Sequence, residues 1–119
     1  MHFEPGIVYH IHNQGNNRQK LFFNRDNYLF FLQKIRTQLT PHADVLAWCL
    51  MPNHFHLMVL AKETATTRSA TLSRAPSIGL NKAIGIVLAS YTRAINNQEN
   101  TTGSMFRSKT KAIPLNQIH

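Results

Sequence analysis

The sequence predicts an α+β fold of the ferredoxin-like (split βαβ) type, with one antiparallel sheet and two helices packed on one of its faces. Segments with the period of a strand and segments with the spacing of a helix follow one another in the order strand, helix, strand, strand, helix, strand. The length of 119 residues, of which 43% are hydrophobic and 15% charged, fits a single globular domain over residues 1–119.

The first strand and the first helix are indicated by the spacing of their apolar residues. Over residues 7–12 apolar and more polar residues alternate, which is typical of a half-buried strand, and the turn-forming residues 13–17 follow it. Asn24 has the side chain of a helix N-cap, and apolar residues at helical spacing then predict a helix over residues 25–39. Pro41 ends this helix because proline cannot continue it.

The next segments predict a β-hairpin and a second helix. Residues 45–50 and 54–60 are apolar strands joined by the tight turn 51–53, where proline and asparagine are favoured. Residues 62–76 are rich in Thr, Ser and Ala and predict a mobile surface loop. An apolar stripe at helical spacing then predicts a helix over residues 77–97.

The last strand is expected within residues 105–115, which mix apolar and basic residues. In a ferredoxin-like sheet the first and third strands are neighbours in the middle of the sheet. Because both helices cover one face, the other face is free to bind a ligand.

The balance of charges predicts an anionic partner. Thirteen Lys and Arg are set against five Asp and Glu, which gives a net charge of +8. Nucleic acid is the commonest partner of so basic a domain. The single Cys excludes an internal disulfide framework and a zinc site of several cysteines. No apolar run approaches the roughly 18 residues that a spanning helix needs.

Two histidine pairs have the spacing that places both imidazoles on the same face of a strand. His54 and His56 flank Phe55 in the third strand, and His10 and His12 have the same spacing in the first. Two imidazoles can hold one divalent ion and leave positions for a third protein ligand, water and a phosphate oxygen. Since the first and third strands are neighbours, the spacing leaves open whether both pairs face the same cleft or only one binds a metal. The alternative is a pair of exposed histidines without a metal, which the spacing alone favours because such patterns are common by chance.

The residues around the second pair resemble the signature of the HUH single-strand DNA transposases. The match is closest to the REP-associated and related bacterial tyrosine transposases, and its centre is Met51–Val59, with the sequence MPNHFHLMV. Segments 9–18, 91–96 and 102–112 resemble further parts of these proteins in the same order. The resemblance therefore covers most of the chain, apart from the Thr/Ser-rich loop.

This resemblance implies a metal-dependent DNA transposase. In the family a tyrosine hydroxyl attacks single-stranded DNA near a hairpin, and the DNA is cut and rejoined through a 5′-phosphotyrosine intermediate. By this resemblance His54 and His56 hold Mg²⁺ or Mn²⁺, whereas His10 and His12 match a strand position of the family and not its metal motif. The single Cys and the lack of a signal peptide predict a soluble protein in a reducing, intracellular setting. Together with the resemblance, this predicts a bacterial, cytoplasmic, nucleoid-associated protein, and it leaves a homodimer open.

The nucleophilic tyrosine of this family lies on a helix beyond the segment that matches residues 103–112. Since this chain ends at His119, we expect a domain truncated at its C-terminus, either as a fragment or naturally. The nucleophile, and often the third metal ligand, would then lie beyond His119. Tyr91 is a less favoured candidate, because its position in the apolar stripe of the second helix indicates a core residue.

Basic residues form a second set of candidates. Arg107, Lys109 and Lys111 alternate with a period of two, so that on a strand they would form one row along a sugar-phosphate backbone. Phe106 would stack on an unpaired base. The predicted DNA contacts are Arg18, Lys20, Arg93, Asn96, Phe106, Arg107, Lys109 and Lys111. If about six of these residues contact phosphates of single-stranded DNA, the logarithm of the binding constant should fall with the logarithm of the salt concentration with a slope of about −4.

Two other functions remain open from the sequence. A non-catalytic nucleic-acid-binding module of the same fold would need no nucleophile. A metal-dependent phosphoesterase, in which the two histidines activate water, would need carboxylates near the metal. The candidates Asp26, Asp44, Glu63 and Glu99 are scattered along the chain, which argues against this second alternative.

Overall fold

The computed structural model describes residues 1–63 and 79–115, and within them it contains four strands and two α-helices in the predicted order. The strands are β1 (Val8–Gln14), β2 (Ala43–Met51), β3 (His54–Ala61) and β4 (Lys111–Pro114), and the helices are α1 (Arg25–Leu39) and α2 (Leu80–Glu99). All strand pairs are antiparallel, in the order β2-β3-β1-β4. This arrangement confirms the predicted α+β, ferredoxin-like fold.

Helix α1 begins and ends where its sequence predicts. The side chain of Asn24 accepts a hydrogen bond from the backbone N–H of Asn27 at 2.9 Å. This bond satisfies one of the N–H groups that have no partner within the helix. The helix ends at Leu39, two residues before Pro41.

The period of two along β1 and β3 decides which side chains enter the core. Ile11 and Phe55 are buried beneath the helices, together with the residues two positions away on each strand. Phe31 of α1 packs against Phe55 with ring centroids 5.2 Å apart and against Tyr91 of α2 at 5.0 Å. The alternate residues of both strands lie on the opposite side of the sheet, which we call the open face.

The residues after α2 return to the end of β1 before β4 begins. Asn16 donates its backbone N–H to the carbonyl of Met105 at 2.8 Å, and Arg107 donates its own to the carbonyl of Gln14 at 3.0 Å. Phe106, between Met105 and Arg107 in the sequence, is buried. The strand predicted within residues 105–115 is therefore restricted to β4, and the residues before it are held against β1 by these separate bonds.

Strand β1 extends to Gln14, although residues 13–17 were expected to form the turn. The predicted mobile loop 62–76 lies outside the described residues except for its first two positions, and so do the first two residues of the predicted helix 77–97. Neither helix of the described part of the chain is long and apolar enough to cross a membrane.

Candidate nucleic-acid and metal site

The pairing of β1 with β3 brings the two histidine pairs together on the open face. His12 lies directly opposite His56, and Gln14 lies opposite His54. His10 reaches His56 diagonally, with His10 Nε2 and His56 Nδ1 2.8 Å apart and the two rings nearly parallel at 20°. The i, i+2 spacing predicts the face of each pair, but only the register between the strands determines that they meet.

The hydrogen bonds of His54 and His56 use Nδ1, the ring nitrogen nearer the backbone. His54 Nδ1 lies 2.8 Å from Oδ1 of Asn53, and His56 Nδ1 is bonded to His10. Nε2 is therefore the nitrogen that each ring can offer a metal ion, and the ring centroids are 5.2 Å apart. This donor set fits a divalent ion held by two imidazoles.

The two histidines supply only part of a coordination shell. Within residues 1–63 and 79–115, no three or more His, Cys, Asp or Glu side chains are grouped so that they could hold a metal ion. Water and a substrate phosphate would complete the shell, or a further ligand would come from outside these residues.

The surroundings of His12 and His56 on the open face favour the neutral form of both rings. Burial, followed by the neighbouring charges of His10, His54 and His12, lowers the pKa of His56. Burial, followed by His10 and Lys111, lowers the pKa of His12. Since a metal binds the lone pair of a neutral ring, a lowered pKa keeps His56 available as a ligand at neutral pH.

A pocket of about 240 Å³ opens beside the histidines. Residues from β1, β3, β4 and the segment before β4 line it: His12, Asn13, Gln14, His54, His56, Arg107, Lys109 and Lys111. Only Lys111 of the three basic residues lies on a strand, so the predicted row on a strand is wrong, yet all three share this pocket. None of these lining residues is a carboxylate, which makes the pocket suited to an anion.

Strand β1 holds Arg107 beside the histidines. Asn13 is buried, and its side-chain amide donates to the carbonyl of Arg107 at 3.1 Å and to Oγ1 of Thr110 at 2.9 Å. With its amide oxygen turned towards the guanidinium, Gln14 accepts from the Arg107 side chain at 2.6 to 2.9 Å. These bonds fix the segment before β4 although it is not part of the sheet.

A second depression shares Arg107 with the first pocket and extends the basic surface to Arg18. Arg18 and the preceding Asn17 have φ angles of 59° and 53°, in the left-handed region that side chains rarely adopt. The turn is closed by the backbone N–H of Arg18, which donates to the carbonyl of Gly15 at 3.1 Å. The structure thus places Arg18 and Arg107, which are far apart in sequence, around the same depression.

Three other predicted DNA contacts lie away from the pocket. Lys20 is exposed, with Nζ 5.7 Å from the ring centroid of Phe23. Arg93 is exposed on α2, on the other side of the sheet from the open face. Asn96 lies on the same helix, and its amide donates to the carbonyl of Gly103 at 2.9 Å, so it holds the loop after the helix.

The structure corrects the prediction for Phe106. Only 7% of its surface is exposed, and its ring packs against Phe55 with centroids 5.9 Å apart. It cannot stack on a base without leaving the core. The sequence expectation failed because Phe106 precedes β4 in an irregular segment, where neighbouring charged residues do not indicate which way a side chain points.

The three tyrosines of the chain are part of the packed interior or its margin. Tyr91 is buried, its hydroxyl donates to the carbonyl of Leu21 at 2.7 Å, and burial, followed by the charge of Tyr28, raises its pKa. Tyr9 is buried, and half-buried Tyr28 stacks on Phe22. Tyr91 therefore lies where its spacing predicts, and its hydroxyl reaches a phosphate only if the core opens.

Sequence reasoning missed Asn13 and Gln14, which both line the pocket. Gln14 could have been found, because it continues the alternation of His10 and His12 by one more step. The signal for Asn13 is a polar residue on the side of the strand that otherwise carries core residues. Both belong to the segment 13–17, whose Asn and Gly residues predict a turn.

The fold and the site together define an α+β protein whose open sheet face joins two imidazoles to a basic pocket. No family model and no curated protein matches the chain. Among solved structures, the fold is similar to that of a REP-associated tyrosine transposase bound to a REP hairpin, with a TM-score of 0.62 and 14% sequence identity. The match covers 97% of this chain and 59% of that chain. At this identity the likeness shows a common fold.

Proposed function

We propose that this chain is the DNA-binding and metal-holding part of an HUH-class tyrosine transposase. It binds single-stranded or hairpin DNA on the open face, where His54 and His56 serve as ligands for Mg²⁺ or Mn²⁺. The observation that carries the proposal is the pocket in which these two imidazoles lie with Arg107, Lys109 and Lys111. The fold shared with a transposase bound to a DNA hairpin supports it.

The pocket suits a DNA phosphate. A guanidinium and two ammonium groups border it without a carboxylate among its lining residues, so a phosphate gains attraction without local repulsion. When bound, the metal would polarise the scissile phosphate and help the leaving oxygen. Arg18 continues the basic surface past Arg107, which gives the DNA backbone a second point of attachment.

The covalent step needs a tyrosine from outside these residues. Tyr91 donates its hydroxyl to a backbone carbonyl inside the core, and Tyr9 is buried as well. Tyr28 is half-buried and stacks on the ring of Phe22. The residues of this chain therefore hold and orient the DNA, and cutting and rejoining through a 5′-phosphotyrosine require a nucleophile other than these three tyrosines.

The test is a covalent-adduct assay with hairpin DNA labelled at its 3′ end, since a 5′-phosphotyrosine links the protein to that fragment. With Mn²⁺, we expect the 119-residue chain to bind the hairpin without an adduct. If the reading frame continues past His119, the chain extended by those residues should form one. In the extended chain, His56→Ala should abolish cleavage and spare most binding, whereas His2→Ala, at an exposed position near the N-terminus, should change neither. Equal loss of cleavage and binding in His56→Ala would contradict the assigned role.

The second candidate is a non-catalytic module that binds nucleic acid with the same face. This function is favoured by the burial of Tyr9 and Tyr91 in the core, because their hydroxyl groups are not available to attack DNA. Binding by the extended chain without any adduct would identify this function. Free cleaved DNA without an adduct would instead indicate a metal-dependent phosphoesterase.

A further inference from the structure

His10 makes the hydrogen bond that determines how His56 presents its ring. Its Nε2 lies 2.8 Å from Nδ1 of His56, and the ring centroids are 5.0 Å apart. We infer that His10 is a positioning residue, which holds the Nδ1–H of His56 and so leaves Nε2 as the lone-pair nitrogen facing the pocket. The contact itself is observed, whereas its direction rests on the proposed function, in which Nε2 of His56 binds the metal.

The contact follows from the strand register. His12 is opposite His56 and His10 is opposite Met58, so His10 and His56 are diagonal neighbours on the open face. Side chains in this relation are within reach of one another when they are long or aromatic. His12 lies beside both rings, with centroids 4.7 Å from His10 and 5.5 Å from His56. His12 therefore packs beside the two rings, whereas His10 forms the hydrogen bond with His56.

The proposed metal role determines the direction of this bond, through the chemistry of a neutral imidazole. Such a ring has one N–H and one lone-pair nitrogen. If Nε2 of His56 is to bind a metal, its proton must be on Nδ1, and this N–H donates to Nε2 of His10. His10 must then carry its own proton on Nδ1.

The other proposed ligand is held in the same way. Asn53 Oδ1 lies 2.8 Å from Nδ1 of His54 and, as an acceptor, requires a proton on that nitrogen. Each ligand is thus oriented by a residue that is not itself a ligand. Such partners of metal-binding histidines fix the tautomer and the ring orientation, and their loss typically costs about 10- to 100-fold in metal affinity.

His10→Phe and His10→Gln separate the hydrogen bond from the packing. Phenylalanine keeps a flat ring against His12 and His56 but has no acceptor, whereas glutamine restores an acceptor oxygen near the position of Nε2. His12→Phe is the matched control, because it removes an imidazole from the same strand and the same face without removing this bond.

The first measurement is long-range ¹H–¹⁵N NMR of the histidine rings, without metal and at a pH where they are neutral. We expect His56 to carry its proton on Nδ1 in the wild type, in His10→Gln and in His12→Phe. In His10→Phe we expect the proton to move to Nε2 or to be shared between the two nitrogens.

The second measurement is the affinity for Mn²⁺ by calorimetry. We expect His10→Phe to bind Mn²⁺ about tenfold more weakly than the wild type, and His10→Gln to bind it about as tightly as the wild type. A tenfold loss is the smallest that such partners typically cause, and we expect it because the site is open to solvent. Wild-type His56 with its proton on Nε2 would overturn the inference without any variant. So would a His10→Phe protein with unchanged tautomer and affinity. If the wild type binds no Mn²⁺, the proposed metal role fails, and the NMR result still decides whether His10 orients His56.

Discussion

Replacing Lys109 and Lys111 together by Gln should halve the salt dependence of hairpin binding. Both residues are exposed and line the pocket beside His54 and His56. The substitution removes two positive charges and keeps polar side chains, so the fold should be unaffected. Each phosphate that a protein neutralises releases counterions, and the slope of log K against log salt concentration reports how many are released.

The structure sets the expected slope. Four cationic side chains border the two adjoining pockets: Arg18, Arg107, Lys109 and Lys111. At about 0.7 per phosphate contact on a single strand, they predict a slope of about −2.8, and the double variant should show about −1.4. Between about 50 and about 200 mM salt, the wild type should lose about 50-fold in affinity and the variant about sevenfold. The slope of about −4 expected from six basic residues is reduced because Arg93 and Lys20 lie outside these pockets.

Fluorescence anisotropy of a labelled hairpin at several salt concentrations measures this slope. The matched control is Lys82→Gln with Arg93→Gln, which removes two charges from exposed positions of α2 on the other side of the sheet. Its slope should equal that of the wild type. If the control reduces the slope as much as the pocket variant, binding depends on net charge and the pocket argument is wrong. A flat response of the wild type would also refute it.

Three further predictions concern stability. Tyr91→Phe leaves the carbonyl of Leu21 without its 2.7 Å hydrogen bond and should cost about 1–2 kcal/mol in urea unfolding. Tyr28→Phe, at a half-buried position, is the control, and equal stability of the two variants would contradict the assigned role of the Tyr91 hydroxyl. The pKa values of His12 and His56 in the folded chain are lowered from the usual 6.5. Near and below this pH the unfolded chain therefore binds more protons than the folded chain. The free energy of unfolding should consequently fall as the pH decreases below about 6.5. A variant with both residues changed to Gln should lose less stability than the wild type between about pH 7.5 and about pH 5, and parallel curves would contradict the shifts. Gly15→Ala would bring its Cβ into collision with the backbone oxygen of Gln19 and should cost roughly 1–3 kcal/mol in thermal unfolding. Gly85→Ala, in open space on α2, should be neutral or stabilising. Equal effects of the two glycine substitutions would show that the turn after β1 adapts to the added methyl group.

Local patterns in the sequence were sufficient for the order and the type of the elements. Asn24 and Pro41 mark the ends of α1, and the alternation in β1 and β3 separates core side chains from those on the open face. Such features depend on residues a few positions apart, whose relation is set by the geometry of a helix or strand. The shared face of His54 and His56 belongs to this class, since it follows from their spacing within one strand.

The irregular segment before β4 shows what local patterns do not contain. Phe106 was expected on the surface and is buried, while Arg107 reaches the pocket without lying on a strand. The position of both is decided by bonds to residues far away in sequence, such as the N–H of Arg107 on the carbonyl of Gln14 and the amide of Asn13 on Arg107. Without the period of a regular element, the direction of a side chain follows from its partners and not from its neighbours.

The sequence by itself determined the fold class, the strand that carries His54 and His56, and the excess of positive charge. Only the tertiary structure decided that His10 contacts His56, that Arg107 borders the same pocket, and that Arg93 lies on the other side of the sheet. The reason is the register of β1 against β3: it joins residues 46 positions apart, and no spacing within either strand contains that information.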